Sequence, residues 1–73
     1  MVKLPSLKPR DLEKILLKNG FIIKRQTGSH RIYYNFKTEK TTVVPYHSRD
    51  IPQGTLRSII KQTGLSEEIF FKK

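Results

Sequence analysis

The chain is 73 residues long, carries 15 Lys and Arg against 6 Asp and Glu for a net charge of +9, and contains no cysteine. So short a chain forms a single domain, residues 1–73, that buries only about 60% of its unfolded surface, with neither disulfides nor a thiolate zinc site to supplement the core. The basic excess points to a polyanionic partner, because cations that displace condensed counterions drive binding to nucleic acids, although charge by itself does not separate RNA, DNA and an acidic protein.

Lys8-Pro9-Arg10-Asp11 reads as a helix start, with proline in the first turn and Asp11 and Glu13 complementing the positive helix end. Leu12, Ile15 and Leu16 recur at three- and four-residue spacing, and Gly20 supplies a stop, so the first helix is expected over about 9–19. Phe21 to Gln26 is β-prone and ends at Thr27-Gly28, a hairpin turn. A second strand follows over 30–37, where aromatic and β-branched residues dominate. Thr38-Glu39-Lys40 is a polar turn, and Thr41 to Tyr46 makes a third strand that frays or lies at an edge at Pro45, which has no N–H to donate. His47 to Gly54 is a loop. Leu56, Ile59 and Ile60 mark a second amphipathic helix closed by Gly64, capped either by Thr55 or by Gln53-Gly54. Ser66-Glu67-Glu68 starts a short final turn carrying Ile69, Phe70 and Phe71. The order α-β-β-β-α with short connections predicts an α+β domain, a three-stranded antiparallel meander with both helices packed on one face.

The amino terminus, Met1-Val2-Lys3-Leu4-Pro5, lacks the apolar stretch of a secretory signal. No apolar run approaches the roughly 20 residues that span a bilayer. A soluble cytoplasmic protein without a membrane partner is therefore expected. The positive charge is uneven: residues 1–37 hold nine cations and two acids, and residues 38–73 hold six and four.

The segment most suggestive of chemistry is Gly28-Ser29-His30, which opens the second strand among Lys24, Arg25, Arg31 and Lys37. Histidine exchanges a proton near neutral pH, and surrounding cations would gather a polyanion and stabilise charge developing on a phosphate. Strict alternation puts His30 on one face with Ile32, Tyr34 and Phe36, the expected inward set, and Arg31, Tyr33, Asn35 and Lys37 on the other. As the first residue after the turn, His30 then lies at the rim of the sheet; the competing reading is a half-buried histidine that satisfies a backbone group. His47, just past the third strand, is the candidate acid to pair with a His30 base on one phosphodiester, against the plainer reading of an exposed loop histidine. Tyr33, on the face with Arg31 and Lys37, is the candidate exposed ring for stacking a base. Arg57 and Lys61, one turn apart on the second helix, are candidate phosphate contacts, or simply a solvated face. Two isolated histidines without cysteines make no convincing metal site, no glycine-rich phosphate cradle is present, and no cofactor is implied.

Asn19-Gly20-Phe21, Gly28-Ser29-His30 with Tyr33 behind it, Val44-Pro45-Tyr46-His47 and the run from Gly54 to Leu65 occur in an order and spacing that resemble the HicA-type mRNA interferase toxins of bacterial and archaeal toxin–antitoxin pairs. The resemblance covers nearly the whole chain. It implies a fold similar to double-stranded-RNA-binding domains, an endoribonuclease whose catalytic histidine corresponds to His30, and a cognate HicB-like antitoxin that binds and silences it. The reading that follows is metal-free cleavage of messenger RNA, with Lys24, Arg25, Arg31, Lys37, Tyr33, Arg57 and Lys61 as the RNA-contacting set. The alternatives are a non-catalytic RNA-binding module and a protein-binding domain whose basic face meets an acidic partner.

Overall fold

The computed structural model describes residues 4–71, so most of the amino-terminal stretch read for a signal, Met1 to Lys3, lies outside the described residues. The elements are α1 (Pro9–Lys18), β1 (Phe21–Thr27), β2 (His30–Asn35), β3 (Lys40–Pro45), α2 (Gln53–Thr63) and α3 (Glu67–Phe71). The strands form an antiparallel sheet in the order β1-β2-β3. The α-β-β-β-α arrangement is that of a domain like those that bind double-stranded RNA, as the pattern and the resemblance both anticipate.

Local chemistry sets the boundaries. The Lys8 N–H donates to Asp11 Oδ2 at 3.2 Å, fixing the start of α1 ahead of Pro9. At the other end Asn19 Nδ2 donates to the Ile15 carbonyl at 2.7 Å, and Gly20 takes φ 92° to turn the chain into β1. A Cβ at Gly20 would also crowd Asn35 Nδ2 at 3.1 Å, so the positive φ that favours glycine there is accompanied by a tight approach of the Asn35 side chain. Neither Thr55 nor Gln53-Gly54 caps α2. Pro52 takes the cap position, and its carbonyl accepts from the Leu56 N–H at 2.8 Å, so the helix begins at Gln53. Proline serves because its φ of −56° is already close to helical and the cap residue needs only its carbonyl for the first helical bond.

The core lies between the helices and one face of the sheet. Leu12, Ile15 and Leu16 of α1 and Leu56, Ile59 and Ile60 of α2 bury their apolar stripes with Phe21, Tyr33 and Val44 from the strands. Phe70 of α3 joins them. Leu4 and Leu7, which precede α1 and fit no helical or strand period, are fully enclosed as well, and the Ile51 N–H donates to the Leu7 carbonyl at 2.8 Å. Polar seams tie the layers together. Thr42 Oγ1 of β3 meets Gln62 Oε1 of α2 at 2.6 Å, and Asn35 Nδ2 of β2 donates to the Asn19 carbonyl at 3.2 Å.

The faces of β2 are the reverse of those expected from alternation. Tyr33 and Asn35 point into the helical layer and are buried, and Arg31 reaches α1. His30 and Phe36 are exposed, and Ile32 and Tyr34 are only partly covered. The reversal is possible because Glu13 of α1 and the Asn19 carbonyl just past its end offer polar partners to Arg31, Tyr33 and Asn35 where an apolar face was expected to insert.

Asn35 also shapes the β2–β3 turn, its Oδ1 accepting from the Lys37 N–H at 2.9 Å and the Thr38 N–H at 3.1 Å. Asn35→Ala removes these bonds from a buried site, and a loss of about 2 kcal/mol is expected. For a domain of this size that lowers the melting temperature by roughly 8–16 °C, measurable by circular dichroism.

Candidate active site and nucleic-acid interface

Gly28 and Ser29 form a two-residue turn between β1 and β2, with Gly28 at φ 57° and Ser29 on the negative side, the signature of a type II′ hairpin. The Tyr46 N–H donates to the Ser29 carbonyl, which holds the turn against the end of β3. His30 is thereby placed at the first position of β2, paired with Thr27 on one side and Pro45 on the other. Its side chain is exposed, on the sheet face away from the helices, so the half-buried reading does not hold.

Register ranks the surrounding cations. Arg25 pairs with Ile32, which makes it the diagonal cross-strand neighbour of His30 on the same face, a relation that spans about 7–8 Å. A β-bulge between Ile23 and Arg25 interrupts the alternation of β1. Lys24, in the bulge, places Nζ 4.9 Å from the centroid of the Tyr34 ring, so two successive cations reach the open face where a regular strand would send only one. Lys37 is exposed in the β2–β3 turn.

Arg31 is differently engaged. Its Nη1 donates to Glu13 Oε2 at 2.7 Å, with the two side chains 23% and 16% exposed, and its guanidinium lies 3.7 Å from the centroid of the Tyr46 ring. The Tyr33 hydroxyl donates to the same Glu13 oxygen at 2.6 Å. The hydrogen bond that Arg31 donates to the Glu13 carboxylate raises the Arg31 pKa above its usual value. Burial first, and then Glu13, hold the Tyr33 phenol well above its ordinary 10.0. The Arg31 Nε is enclosed without a hydrogen-bond partner. Arg31 and Tyr33 thus clamp β2 to α1, and Tyr33, 0% exposed, has no ring surface to offer a base. That corrects the expectation of a stacking ring at this position.

His47 lies in the loop after β3, exposed, with Nδ1 accepting from the Arg49 N–H at 3.2 Å. The acceptor role at Nδ1 assigns the neutral ring's proton to Nε2. The imidazole lines an open cleft of about 470 Å³ with Lys8, Arg10, Tyr46 and Ser48. Since His30 pairs with Pro45, two residues before His47, both histidines stand at one end of the sheet. Arg57 and Lys61 are elsewhere. They line a second cleft, of about 430 Å³, on the helical layer across the sheet from His30, and Arg57 approaches Glu67 at 3.6 Å. Among the described residues no helix is long and apolar enough to cross a membrane, and no cluster of three or more His, Cys, Asp or Glu side chains is placed to hold a metal ion.

The family model describing the HicA toxin of bacterial toxin–antitoxin systems matches residues 9–65, from the first residue of α1 to just past α2. The chain belongs to the HicA toxin family. No curated protein matches it significantly. In this HicA-family chain the matched span includes the hairpin turn, His30, the Glu13 clamp and all but one lining residue of each cleft, Lys8 of the first and Glu67 of the second lying outside it. Membership makes an antitoxin the class of partner to expect. Glu13 itself had no signal in the sequence beyond its place near the start of the first helix.

The clamp has a pH signature. Because the folded-state pKa of Tyr33 exceeds its unfolded value, its contribution to stability is complete below about pH 10 and is lost as the pH rises beyond it, where the unfolded chain releases the proton first. Tyr33→Phe should cost about 1–2 kcal/mol at neutral pH. It should also flatten the fall in melting temperature between about pH 10 and 12 relative to the parent.

Proposed function

We propose that this chain is an mRNA interferase, an endoribonuclease that cleaves single-stranded RNA by acid–base chemistry at His30 without a metal ion. The observation that carries the reading is the exposed imidazole of His30 on a sheet face whose strands, β1, β2 and β3, contain no acidic residue. His30 removes the proton from a ribose 2′-hydroxyl. The 2′-oxygen then attacks the adjacent phosphorus, and the bond to the 5′-oxygen breaks. The products are a 2′,3′-cyclic phosphate and a 5′-hydroxyl, the latter formed when the leaving oxygen takes a proton from His47 or a lysine. Arg25, the diagonal neighbour of His30, is best placed to stabilise charge on the pentavalent phosphorus, while Lys24, lying over Tyr34, meets the RNA backbone farther along the strand. Lys37 extends the basic surface. Arg57 and Lys61, across the sheet, are separate from the surface around His30.

The partner is a HicB-like antitoxin, and silencing acts by covering His30 with Lys24 and Arg25. A net charge of +9 favours an acidic surface on that partner. A messenger RNA substrate places the activity in the cytoplasm.

His30→Ala should lower the rate of RNA cleavage in chelator by about a hundredfold or more. Melting temperature and RNA affinity should stay close to the parent, because the ring is exposed and the cations remain. An all-deoxy strand should resist cleavage, since it lacks the nucleophile. Retention of near-parent cleavage in a folded His30→Ala protein would remove His30 from the reaction. A shifted but intact RNA band with the parent protein would leave a non-catalytic RNA-binding module.

A further inference from the structure

The open face of the sheet carries more than His30. Along β2 the residues on this face are His30, Ile32 and Tyr34, and Phe36 continues the row into the turn. Phe36 is 72% exposed, more than any other large hydrophobic residue among those described. It is nonetheless held in place. Its ring stands at 87° to that of Tyr34 with centroids 4.9 Å apart. The turn that presents it is fixed by the Asn35 side chain and by the Glu39 N–H, which donates to the Asn35 carbonyl at 2.7 Å. An ordered aromatic ring turned to solvent lacks a partner for its apolar surface.

What surrounds that ring indicates the partner. The Tyr34 ring is braced by Phe36 and overlain by Lys24, so the free ring at this end is Phe36, with an ammonium group one ring away. The strands supply Lys24 and Arg25 to the face and no carboxylate. A flat aromatic surface beside a cation suits an unpaired nucleotide, whose base stacks while its phosphate is neutralised. Residues on one face of a strand recur at about 6.6 Å, so Tyr34 lies roughly 13 Å along β2 from His30 and Phe36 farther still, a distance of a few nucleotides.

We infer that the open face of the sheet is a base-stacking track for single-stranded RNA, in which Phe36 stacks a base a few nucleotides from the scissile phosphate and Lys24 holds the intervening backbone. The inference rests on the proposed RNA-cleaving function for its choice of occupant, since a strand laid across His30 passes along this face. It adds a specificity: a base locked in a duplex cannot lie on Phe36, so duplex RNA is excluded from the track.

The test uses the full chain and a 2′-O-methyl single-stranded oligonucleotide, which binds but cannot be cleaved. Phe36→Ala should weaken its binding by about fivefold to a hundredfold, the range for loss of one base–aromatic stack. Phe36→Leu, which keeps apolar bulk without a π face, should be similarly weak, and Phe36→Trp should bind as well as the parent or better. Lys24→Ala should reduce the salt dependence of binding by about one counterion. The same oligonucleotide annealed to its complement should bind more weakly than the single strand. Circular dichroism checks that each variant is folded, as expected for side chains on the exposed face. Affinity within twofold of the parent for a folded Phe36→Ala protein overturns the inference, as does equal binding of duplex and single strand. If Phe36→Ala instead abolishes binding of the antitoxin and leaves the oligonucleotide unaffected, the face is a protein-docking surface and the inference is equally overturned. Because binding is read on a strand that cannot be cleaved, loss of the track leaves cleavage at His30 standing, and absence of cleavage by the parent leaves the track standing.

Discussion

A single carboxylate decides which way the sheet faces. Glu13 Oε2 receives both the Tyr33 hydroxyl and the Arg31 guanidinium, from two residues of β2 that share a face. A fully buried phenol needs a partner for its hydroxyl, and Glu13 provides it from α1. With Arg31 and Tyr33 committed to the helical layer, the period of two along β2 turns His30, Ile32, Tyr34 and Phe36 the other way. The exposure of the candidate catalytic imidazole is therefore a consequence of a buried polar contact on the opposite face.

Two backbone irregularities then dress the open face. The bulge between Ile23 and Arg25 breaks the alternation of β1 and brings Lys24 and Arg25 to one side. The Gly28-Ser29 turn, held by the Tyr46 N–H, places His30 at the rim where β2 begins and the loop after β3 departs. Neither device stabilises the fold in an obvious way. Both concentrate cations and an imidazole on a surface that the helices leave uncovered.

The helical layer keeps its charges differently. Arg31 is stacked on Tyr46 and bonded to Glu13, and Arg57 lies near Glu67, whereas Lys24 rests only on an aromatic face. An arginine tied to a carboxylate contributes less to an external polyanion than a cation whose charge has no counterion nearby. Lys24 on the open face is thus freer to meet an external polyanion than Arg31, whose charge is engaged within the fold.

Much of this was legible in the chain alone. The apolar spacing of Leu12, Ile15 and Leu16, the stops at Gly20 and Gly64 and the short polar turns were enough for the α-β-β-β-α order, because helix and strand periods and turn residues act locally. The Gly28-Ser29-His30 motif and the run from Gly54 to Leu65 were enough for the family. Which face of β2 is inward was not legible. Ile32, Tyr34 and Phe36 are the more apolar row, and only the presence of Glu13 and the Asn19 carbonyl across the layer makes the more polar row the buried one. For the same reason the exposed ring is Phe36 and not Tyr33, and Lys24 shares a face with Arg25 only through the bulge. These are pairings between residues some 16 to 20 positions apart, and local periodicity carries no information about partners at that distance. The sequence by itself determined the elements, their order and the chemistry available; the tertiary structure decided which of those side chains meet solvent together.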